Sequence, residues 1–344
     1  MLSHLIRTFE AGGPTGRTSL IDVTYRDSKL SHDTMENALK AYFTANHDVS
    51  DSTSDESLVA AFTVDIAAIQ REYGFSAREI AATHVTIVHG ALVNTVPTLF
   101  WCVAYVFSRP VLLSRLRDEL ITALSIDQEE VAKGDMTPKS IVVDADTIEN
   151  PCPLLLSVVR ETQRLVATGT LHRRVLEDTT VTSIHDDGQE QTYILKKGTS
   201  ILLPVALHHR NPLIWGAEAD EFDESRFLEP QPYQTETEHQ TKSLEQEVNS
   251  FTHLRKLAYV PFGGGREFCP ERYFAITEIM GTMTMLIMGY DIKRPDGRPV
   301  KQPRFGLSKM TAATARPHPD ADLEVRIKQR DGWGDVLWKV KDPN

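Results

Sequence analysis

Cysteine is scarce in this chain of 344 residues. Cys102, Cys152 and Cys269 are the three cysteines, and they are widely spaced and odd in number. That pattern argues against a framework of disulfides and is typical of proteins in a reducing compartment.

An excess of basic charge is also lacking. The chain has 37 Lys and Arg residues against 48 Asp and Glu residues, for a net charge of −11, so the composition does not favour nucleic-acid binding. Residues 1–20 contain Arg7, Glu10 and Arg17, and we therefore expect no signal peptide or membrane anchor there. With 41% hydrophobic residues, the chain can bury a sizeable core in one large domain or two.

Charge is absent altogether from one stretch, Val85 to Phe107. The stretch is about long enough to cross a bilayer as a helix. Polar residues within or beside it, and arginines in the helix-like segment that follows, favour a buried central helix of a helical protein instead. A capping box of Ser76 and Glu79 predicts the start of this helix, and Pro97 predicts a kink in it.

Two acidic stretches, 48–56 and 125–150, are predicted to be irregular. The first is rich in serine and is expected to be a solvated loop, because its composition offers no apolar face to bury.

Three consecutive glycines, Gly263–Gly265, precede Cys269. They allow the backbone positive φ angles and a close approach to a flat object. Pro270 suits the first position of a helix, so we expect Cys269 at a helix N-terminus, where the dipole stabilises a thiolate. A thiolate on such a platform suits a haem iron as axial ligand, although a lone cysteine is more often an ordinary buried thiol.

The stretch Phe262 to Ile276 resembles the cysteine loop of the haem-thiolate monooxygenases, the cytochrome P-450 family, whose pattern is Phe-x-x-Gly-x-Arg-x-Cys-x-Gly. Phe262, Gly265 and Cys269 match that pattern. Glu267 stands where Arg or His is usual, and Glu271 stands where Gly is usual. The resemblance implies haem b as the cofactor, with Cys269 as the axial ligand of its iron.

A second resemblance lies in the uncharged helix. The run Gly90 to Trp101 is similar to the oxygen-side helix of the branch that holds bile-acid sterol hydroxylases and prostacyclin synthase. The wider family carries an acidic residue before a threonine there, for proton relay. No acid is present here, so Asn94 and Thr95 are the implied catalytic residues. Without the other motifs, a core helix with satisfied polar groups is the simpler interpretation.

A pair of charges in a later helix carries a third resemblance. Glu161 and Arg164 are three residues apart and share one helix face, where such pairs commonly contribute little. The resemblance implies instead that they lock the core together with Arg226. It also places Arg174 on a haem propionate, with Arg173 as the fallback. A zinc site at the adjacent His208 and His209 is disfavoured by their spacing.

These motifs occur in the family's order over roughly residues 76–329. They imply a mainly α fold with small β-sheets (α+β), a P-450 fold lacking much of its N-terminal part. Residues 1–75 are then a remnant of the N-terminal helical region, and residues 76–344 the haem-binding core. We expect the chain to be N-terminally truncated. Eukaryotic relatives are usually held at the endoplasmic reticulum membrane, and the localisation of this chain stays open.

Three functions follow from the resemblance. The first is a monooxygenase that hydroxylates a lipophilic small molecule with O2 and electrons from an NADPH-dependent flavoprotein reductase, which would dock on a basic patch of Arg255, Lys256, Arg266 and Arg272. The second is a peroxide isomerase or dehydratase of the prostacyclin-synthase kind, which needs no reductase. The third is a non-catalytic remnant, motivated by the short N-terminal part, Glu267 and Glu271.

Overall fold

The computed structural model describes residues 20–50, 61–126, 140–143, 151–184, 189–228, 254–306, 313–317 and 324–340. The chain divides into two compact units, Met1–Leu92 and Val93–Asn344. The sequence predicted a boundary after residue 75, with a remnant before it and a haem-binding core after it, and that division stays a prediction.

The first unit is helical. Its helices are α1 (Leu20–Thr44), α2 (His47–Ser50), α3 (Ala61–Glu72) and α4 (Ala77–Val93). Phe43, Ala67, Ile80 and Ala81 are buried against one another in its small core. The predicted capping box is present at the start of α4, since the Ser76 hydroxyl and backbone N–H both donate to Glu79 Oε2, at 2.7 and 2.8 Å.

Asp48 corrects one expectation for this unit. The stretch that begins there was predicted to be a solvated loop, yet Asp48 lies in α2 with its side chain fully buried. Arg71 of α3 donates to both carboxylate oxygens, at 2.6 and 2.8 Å. The carboxylate is satisfied inside the unit because a guanidinium can pair with it through two parallel hydrogen bonds. Residues 51–60 lie outside the described part of the chain.

Residues 254–258 of the second unit are helical, and this unit has six further α-helices among its described residues. They are α5 (Thr95–Phe107), α6 (Pro110–Ala123), α7 (Pro153–Val166), α8 (Val205–His209), α9 (Pro212–Trp215) and α10 (Arg272–Gly289). Helices α5, α6, α7 and α10 pack on one another, and α6 and α7 both begin with a proline, as helix starts often do. Their shared core includes Leu116, Leu120, Val158 and Met283, all fully buried.

Five two-stranded pairings are present among the described residues. The parallel pair is β1 (Ser140–Val143) with β10 (Leu337–Val340). The antiparallel pairs are β2 (Thr170–Arg174) with β5 (Ser200–Pro204), β3 (Thr179–Ile184) with β4 (Glu190–Leu195), β6 (Tyr290–Lys293) with β9 (Arg326–Gln329), and β7 (Phe305–Gly306) with β8 (Arg316–Pro317). The prediction of a mainly α fold with small β-sheets is confirmed.

The uncharged stretch forms two helices rather than one. Helix α4 ends at Val93 and α5 begins at Thr95, with Asn94 in a turn between them. The break lies three residues before the expected kink, because the Pro97 ring crowds the carbonyl four residues earlier, on Val93.

By length and composition alone, the helical stretch Ala77–Phe107 could cross a membrane. Core helices of soluble proteins satisfy the same test. Trp101, Cys102 and Val106 of α5 are fully buried in the second unit, as the sequence predicts for a central helix.

Strand β1 is a second correction, since it falls in the stretch 125–150 that was expected to be irregular. Ile141 and Val143 are buried while Ser140 and Val142 are exposed, which is the alternation of a half-buried strand. Its partner β10 lies close to the other end of the chain, so a local pattern of four residues was the sole signal available for it.

Candidate haem-thiolate site

The three-glycine segment forms a closed loop that ends at Cys269. Gly263 and Gly265 have φ angles of 82° and 68°, which explains the need for glycine at both positions. Gly263 N–H donates to the Val260 carbonyl at 3.1 Å, and Cys269 N–H donates back to the Phe262 carbonyl at 3.0 Å. These two hydrogen bonds fix the backbone position of Cys269, from which its side chain projects.

Cys269 differs from the other two cysteines in its exposure. Cys102 and Cys152 are buried, whereas Cys269 is partly exposed. Burial raises the pKa of both Cys102 and Cys152 to about 12, so these two side chains remain neutral thiols. Cys269 is therefore the thiol that a ligand can reach.

The helix after Cys269 starts later than expected. Helix α10 begins at Arg272 with Glu271 as its N-cap, so Pro270 precedes the helix instead of opening it. Arg272 donates to the Cys269 carbonyl at 3.2 Å, and its guanidinium lies 4.7 Å and 4.2 Å from the ring centres of Phe268 and Tyr273. Contacts of this kind between a cation and aromatic rings are favourable. They hold the end of the loop on the first turn of α10.

Glu161 and Arg164 of α7 form a buried lock with Arg226. Arg164 donates to both Glu161 oxygens at 2.7 and 2.8 Å, and both side chains are fully buried. Arg226 Nε and the Asp223 N–H add two further donors to Glu161 Oε1, each at 3.1 Å. A buried charge pair is stable only when its remaining hydrogen-bonding groups are also satisfied.

Backbone carbonyls satisfy the rest of both guanidiniums. Arg164 donates to carbonyls of the last residue of α8 and of the segment that follows it, and Arg226 donates to carbonyls of that same following segment. The acceptors for Arg164 are His209, Ala219 and Glu221, and those for Arg226 are Trp215, Glu218 and Glu221. The predicted grouping of Glu161, Arg164 and Arg226 is thus present, and its role in function stays a prediction.

Two residues that the sequence analysis did not assign to the site connect this lock to the cysteine loop. His209 accepts a hydrogen bond from Val260 N–H at 3.0 Å, and its ring stacks on Tyr259 with centres 5.7 Å apart. The Tyr259 hydroxyl donates to Gln163 of α7 at 2.8 Å. In the sequence, the segment from His208 to Pro212 resembles the family's His-Arg-Asp-Pro segment and a zinc site is disfavoured, but neither observation indicates that His209 contacts Val260.

Arg173, the fallback for the propionate contact, lies against the loop. Its guanidinium donates to the Gly264 carbonyl at 2.5 Å. Arg174 is the next residue of β2 and is exposed. Successive strand residues point to opposite faces, so Arg173 and Arg174 cannot both face the loop. As a propionate ligand, Arg174 stays a prediction with no contact to Cys269 or the glycines.

Asn94 and Thr95 lie at the start of α5. The Asn94 amide oxygen accepts a weak hydrogen bond of 3.4 Å from the Thr314 hydroxyl, and its carbonyl accepts from the Thr98 hydroxyl at 2.8 Å. Thr95 is buried, with 9% of its surface exposed. The catalytic role of Asn94 and Thr95 stays a prediction.

The loop residues fit a haem in their chemistry. Cys269 offers a partly exposed sulfur, and a Cβ placed on Gly264 would meet nothing within 4 Å, so space is open beside the loop. Glu271 replaces the usual glycine at a φ of −85°, which any residue adopts, and its side chain is exposed. The side chain of Glu267 lies outside the described part of the structure.

The predicted basic patch is only partly available for docking. Arg255 donates to the Ile214 carbonyl at 3.2 Å and lies over the Trp215 ring, and burial lowers its pKa. Arg272 is held by Phe268 and Tyr273. Lys256 and Arg266 are the two exposed cations of the four.

Comparisons with known proteins agree with the motifs. The family model described as Cytochrome P450 matches residues 18–316. A cytochrome P450 monooxygenase of Gibberella zeae is 32% identical over 288 residues, covering 83% of this chain and 50% of that protein. The cytochrome P450 monooxygenase nodJ of Hypoxylon pulicicidum is 26% identical over 273 residues, covering 79% and 48%.

The predicted likeness to sterol hydroxylases is also confirmed. The 25-hydroxycholesterol 7-alpha-hydroxylase of Rattus norvegicus is 27% identical over 262 residues, covering 76% of this chain and 57% of the rat protein. The chain spans about half the length of the curated relatives it matches. Because the family match extends over most of the described residues and includes the cysteine loop, this chain belongs to the cytochrome P450 family.

Proposed function

We propose that the chain is a haem-thiolate monooxygenase that hydroxylates a lipophilic small molecule. The observation that carries the proposal is Cys269. It is the partly exposed thiol among three cysteines, it ends a loop tied by hydrogen bonds at both of its ends, and open space lies beside that loop at Gly264.

Bound haem b would supply activation of O2 for insertion into a C–H bond, and a cysteine thiolate holding its iron would favour this chemistry. In this proposal Cys269 ligates the iron, and Phe262 and Gly265 shape the loop around it. Arg173 is the better placed partner for a propionate, since its guanidinium already lies at the Gly264 carbonyl. Asn94 and Thr95 position water or oxygen at the start of α5 through their hydrogen-bonding groups.

A lipophilic substrate of the sterol class is supported by the relatives. The name of the rat relative states that it hydroxylates 25-hydroxycholesterol, and the two fungal relatives are named monooxygenases. Electrons are proposed to come from an NADPH-dependent flavoprotein reductase. Lys256 and Arg266 are its proposed contacts, because exposed cations steer an acidic partner to its docking site.

The decisive experiment is the absorption spectrum of the purified full chain after reconstitution with haem and reduction with dithionite, with and without carbon monoxide. A strongly red-shifted Soret band that disappears in Cys269→Ser is expected. Cys102→Ser is the matched control, because a buried neutral thiol cannot ligate the iron, and this variant should keep the band. The absence of any haem band after reconstitution would contradict the proposal and favour the third function, a non-catalytic remnant.

Dependence on NADPH separates the monooxygenase from the peroxide isomerase. A monooxygenase converts the substrate only when NADPH and a reductase are present. An isomerase or dehydratase converts a lipid peroxide without either one. Turnover of a peroxide with the reductase omitted would therefore contradict the proposal and favour the second function.

A further inference from the structure

His209 stands between the buried lock and the cysteine loop. It is the last residue of α8 and is fully buried. Its Nδ1 lies 3.0 Å from the Arg164 carbonyl, and its Nε2 lies 3.0 Å from the backbone nitrogen of Val260. One ring thus contacts α7 on one side and the segment leading to Gly263 on the other.

The two hydrogen bonds determine which nitrogen of the ring carries its proton. A carbonyl can only accept, so Nδ1 carries the proton and donates to Arg164. A backbone N–H can only donate, so Nε2 must be bare to accept from Val260. A doubly protonated ring would place an N–H against the Val260 N–H. The geometry therefore requires a neutral imidazole with its proton on Nδ1.

The surroundings of the ring favour the same state. Burial lowers the pKa of His209, the hydrogen bond to the Arg164 carbonyl raises it, and the nearby charges of Arg164, His208 and Arg210 lower it; together they bring the pKa to about 4. The charge of Arg164 is itself paired with Glu161. Tyr259 stacks on the ring from the loop segment, and burial keeps this phenol neutral by raising its pKa.

The contact on Val260 bears on Cys269 through two further hydrogen bonds. The Val260 carbonyl accepts from Gly263 N–H, and the Phe262 carbonyl accepts from Cys269 N–H. Arg164 in turn donates to the His209 carbonyl at 2.5 Å. His209 and Arg164 are therefore joined by two hydrogen bonds. Through His209, the buried lock is connected to the cysteine loop by hydrogen bonds and the backbone between them.

We infer that His209 is a positioning residue for Cys269: a neutral imidazole, donating to Arg164 and accepting from Val260, fixes the start of the loop that presents the thiol. The role of Cys269 as the iron ligand rests on the proposed function, whereas the positioning of its side chain does not.

Two substitutions separate the two hydrogen bonds. His209→Asn keeps an amide donor near the Nδ1 position and loses the acceptor for Val260. His209→Gln can place its amide oxygen near the Nε2 position and keep that acceptor. His208→Gln is the matched control at the adjacent position, because the described side chain of His208 makes no hydrogen bond to the loop.

The readout is the rate at which iodoacetamide modifies Cys269 in the full chain without haem, followed by mass spectrometry. His209→Asn is expected to raise this rate roughly fivefold, because losing one typical hydrogen bond increases the fraction of molecules with an open loop by about that factor. His209→Gln should rescue it to within about twofold of the wild type, and His208→Gln should leave it unchanged. The inference is overturned if His209→Asn leaves the rate unchanged, or if both substitutions at 209 raise it equally.

A second measurement uses the unmutated chain and decides the matter if His209→Asn unfolds, which reaction of Cys102 and Cys152 would reveal. Nitrogen-15 NMR of the histidine rings reports which nitrogen carries the proton. We expect a His209 ring protonated on Nδ1 alone at neutral pH. A ring protonated on Nε2, or charged at neutral pH, would overturn the inference. Neither measurement needs haem, so a chain without a haem band would sink the proposed function and leave this test intact.

Discussion

Glu161 shows at the scale of a single residue why sequence spacing alone cannot rank charge pairs. Its separation of three residues from Arg164 is the spacing of many surface pairs worth little. In the structure both side chains are fully buried, and four donors meet the Glu161 carboxylate. The contribution of the pair to stability therefore depends on burial, which the spacing does not reveal.

Removal of the Glu161 carboxylate should destabilise the folded chain strongly. In Glu161→Ala the buried guanidinium of Arg164 loses its counter-charge, and we expect the free energy of unfolding to fall by about 4 kcal/mol. Arg115→Ala breaks an exposed pair with Glu224, with an Nη1–Oε1 distance of 3.0 Å, and should cost less than about 1 kcal/mol. Urea unfolding of both variants checks the contrast, and similar losses in the two would contradict it.

His209 should make stability depend on pH. Its pKa falls from an ordinary 6.5 to about 4 in the folded chain, so between these values the unfolded state binds a proton that the folded state excludes. Stability is then fully present above pH 6.5 and falls by about 3 kcal/mol as the pH drops to about 4.

Urea unfolding at several pH values tests this linkage. The wild type should lose stability steadily across the window from pH 6.5 to about 4. His209→Gln has no titrating ring, so its profile should be flatter in the same window even if the variant is less stable overall. Parallel profiles for the two proteins would mean that other groups cause the acid loss.

At the scale of an element, the cysteine loop uses its glycines in two different ways. Gly265 has a φ of 68°, a left-handed conformation that strains other residues, whereas Gly264 has an extended φ of −170° and open space beside it. The first glycine therefore serves the fold of the loop, and the second leaves room next to it.

Substituting each of these two glycines with alanine should separate an effect on stability from an effect on haem binding. Gly265→Ala is expected to lower the free energy of unfolding by about 1 kcal/mol because of its positive φ. Gly264→Ala should leave stability within about 0.5 kcal/mol, since the change is at the surface of an extended segment, and should weaken haem binding by placing a methyl group in the open space. Thermal unfolding without haem and haem titration check the two effects, and unweakened haem binding in Gly264→Ala would argue against haem at this face.

Helix α5 illustrates what a pattern predicts and what it misses. The absence of charge from Val85 to Phe107 predicted one buried helix. The prediction is right for Trp101, Cys102 and Val106 of α5, which are fully buried, whereas Thr86 and Val88 of α4 are exposed. The position of the break at Asn94 depends on how the Pro97 ring meets the Val93 carbonyl. That is a matter of backbone packing, which the uncharged pattern does not report.

At the scale of the whole chain, each of the two compact units contains a buried group whose pKa is shifted by its surroundings. In the first unit, the hydrogen bonds from Arg71 hold the pKa of Asp48 below its usual 3.8. This carboxylate contributes stability above that value and loses it as the pH falls through its lowered pKa. In the second unit, the equivalent dependence comes from His209 at higher pH.

A change confined to the first unit should therefore stay there. Asp48→Asn removes the ion pair with Arg71 and is expected to destabilise this unit by about 2 kcal/mol. Hydrogen exchange should become faster in α2, α3 and α4 and stay unchanged around Glu161 and Cys269. Equal acceleration in both units would show that the chain unfolds as a single body.

The sequence by itself determined the family, the mainly α fold class and the cysteine that the proposed site requires, because these depend on local spacing: the glycines before Cys269, the capping box at Ser76, the uncharged run before Phe107. Only the tertiary structure decided that Glu161 is buried, that Arg173 rather than Arg174 meets the loop, and that His209 connects α7 to Val260. Those contacts join residues far apart in the chain, and the burial that gives them their strength exists only once the helices have packed.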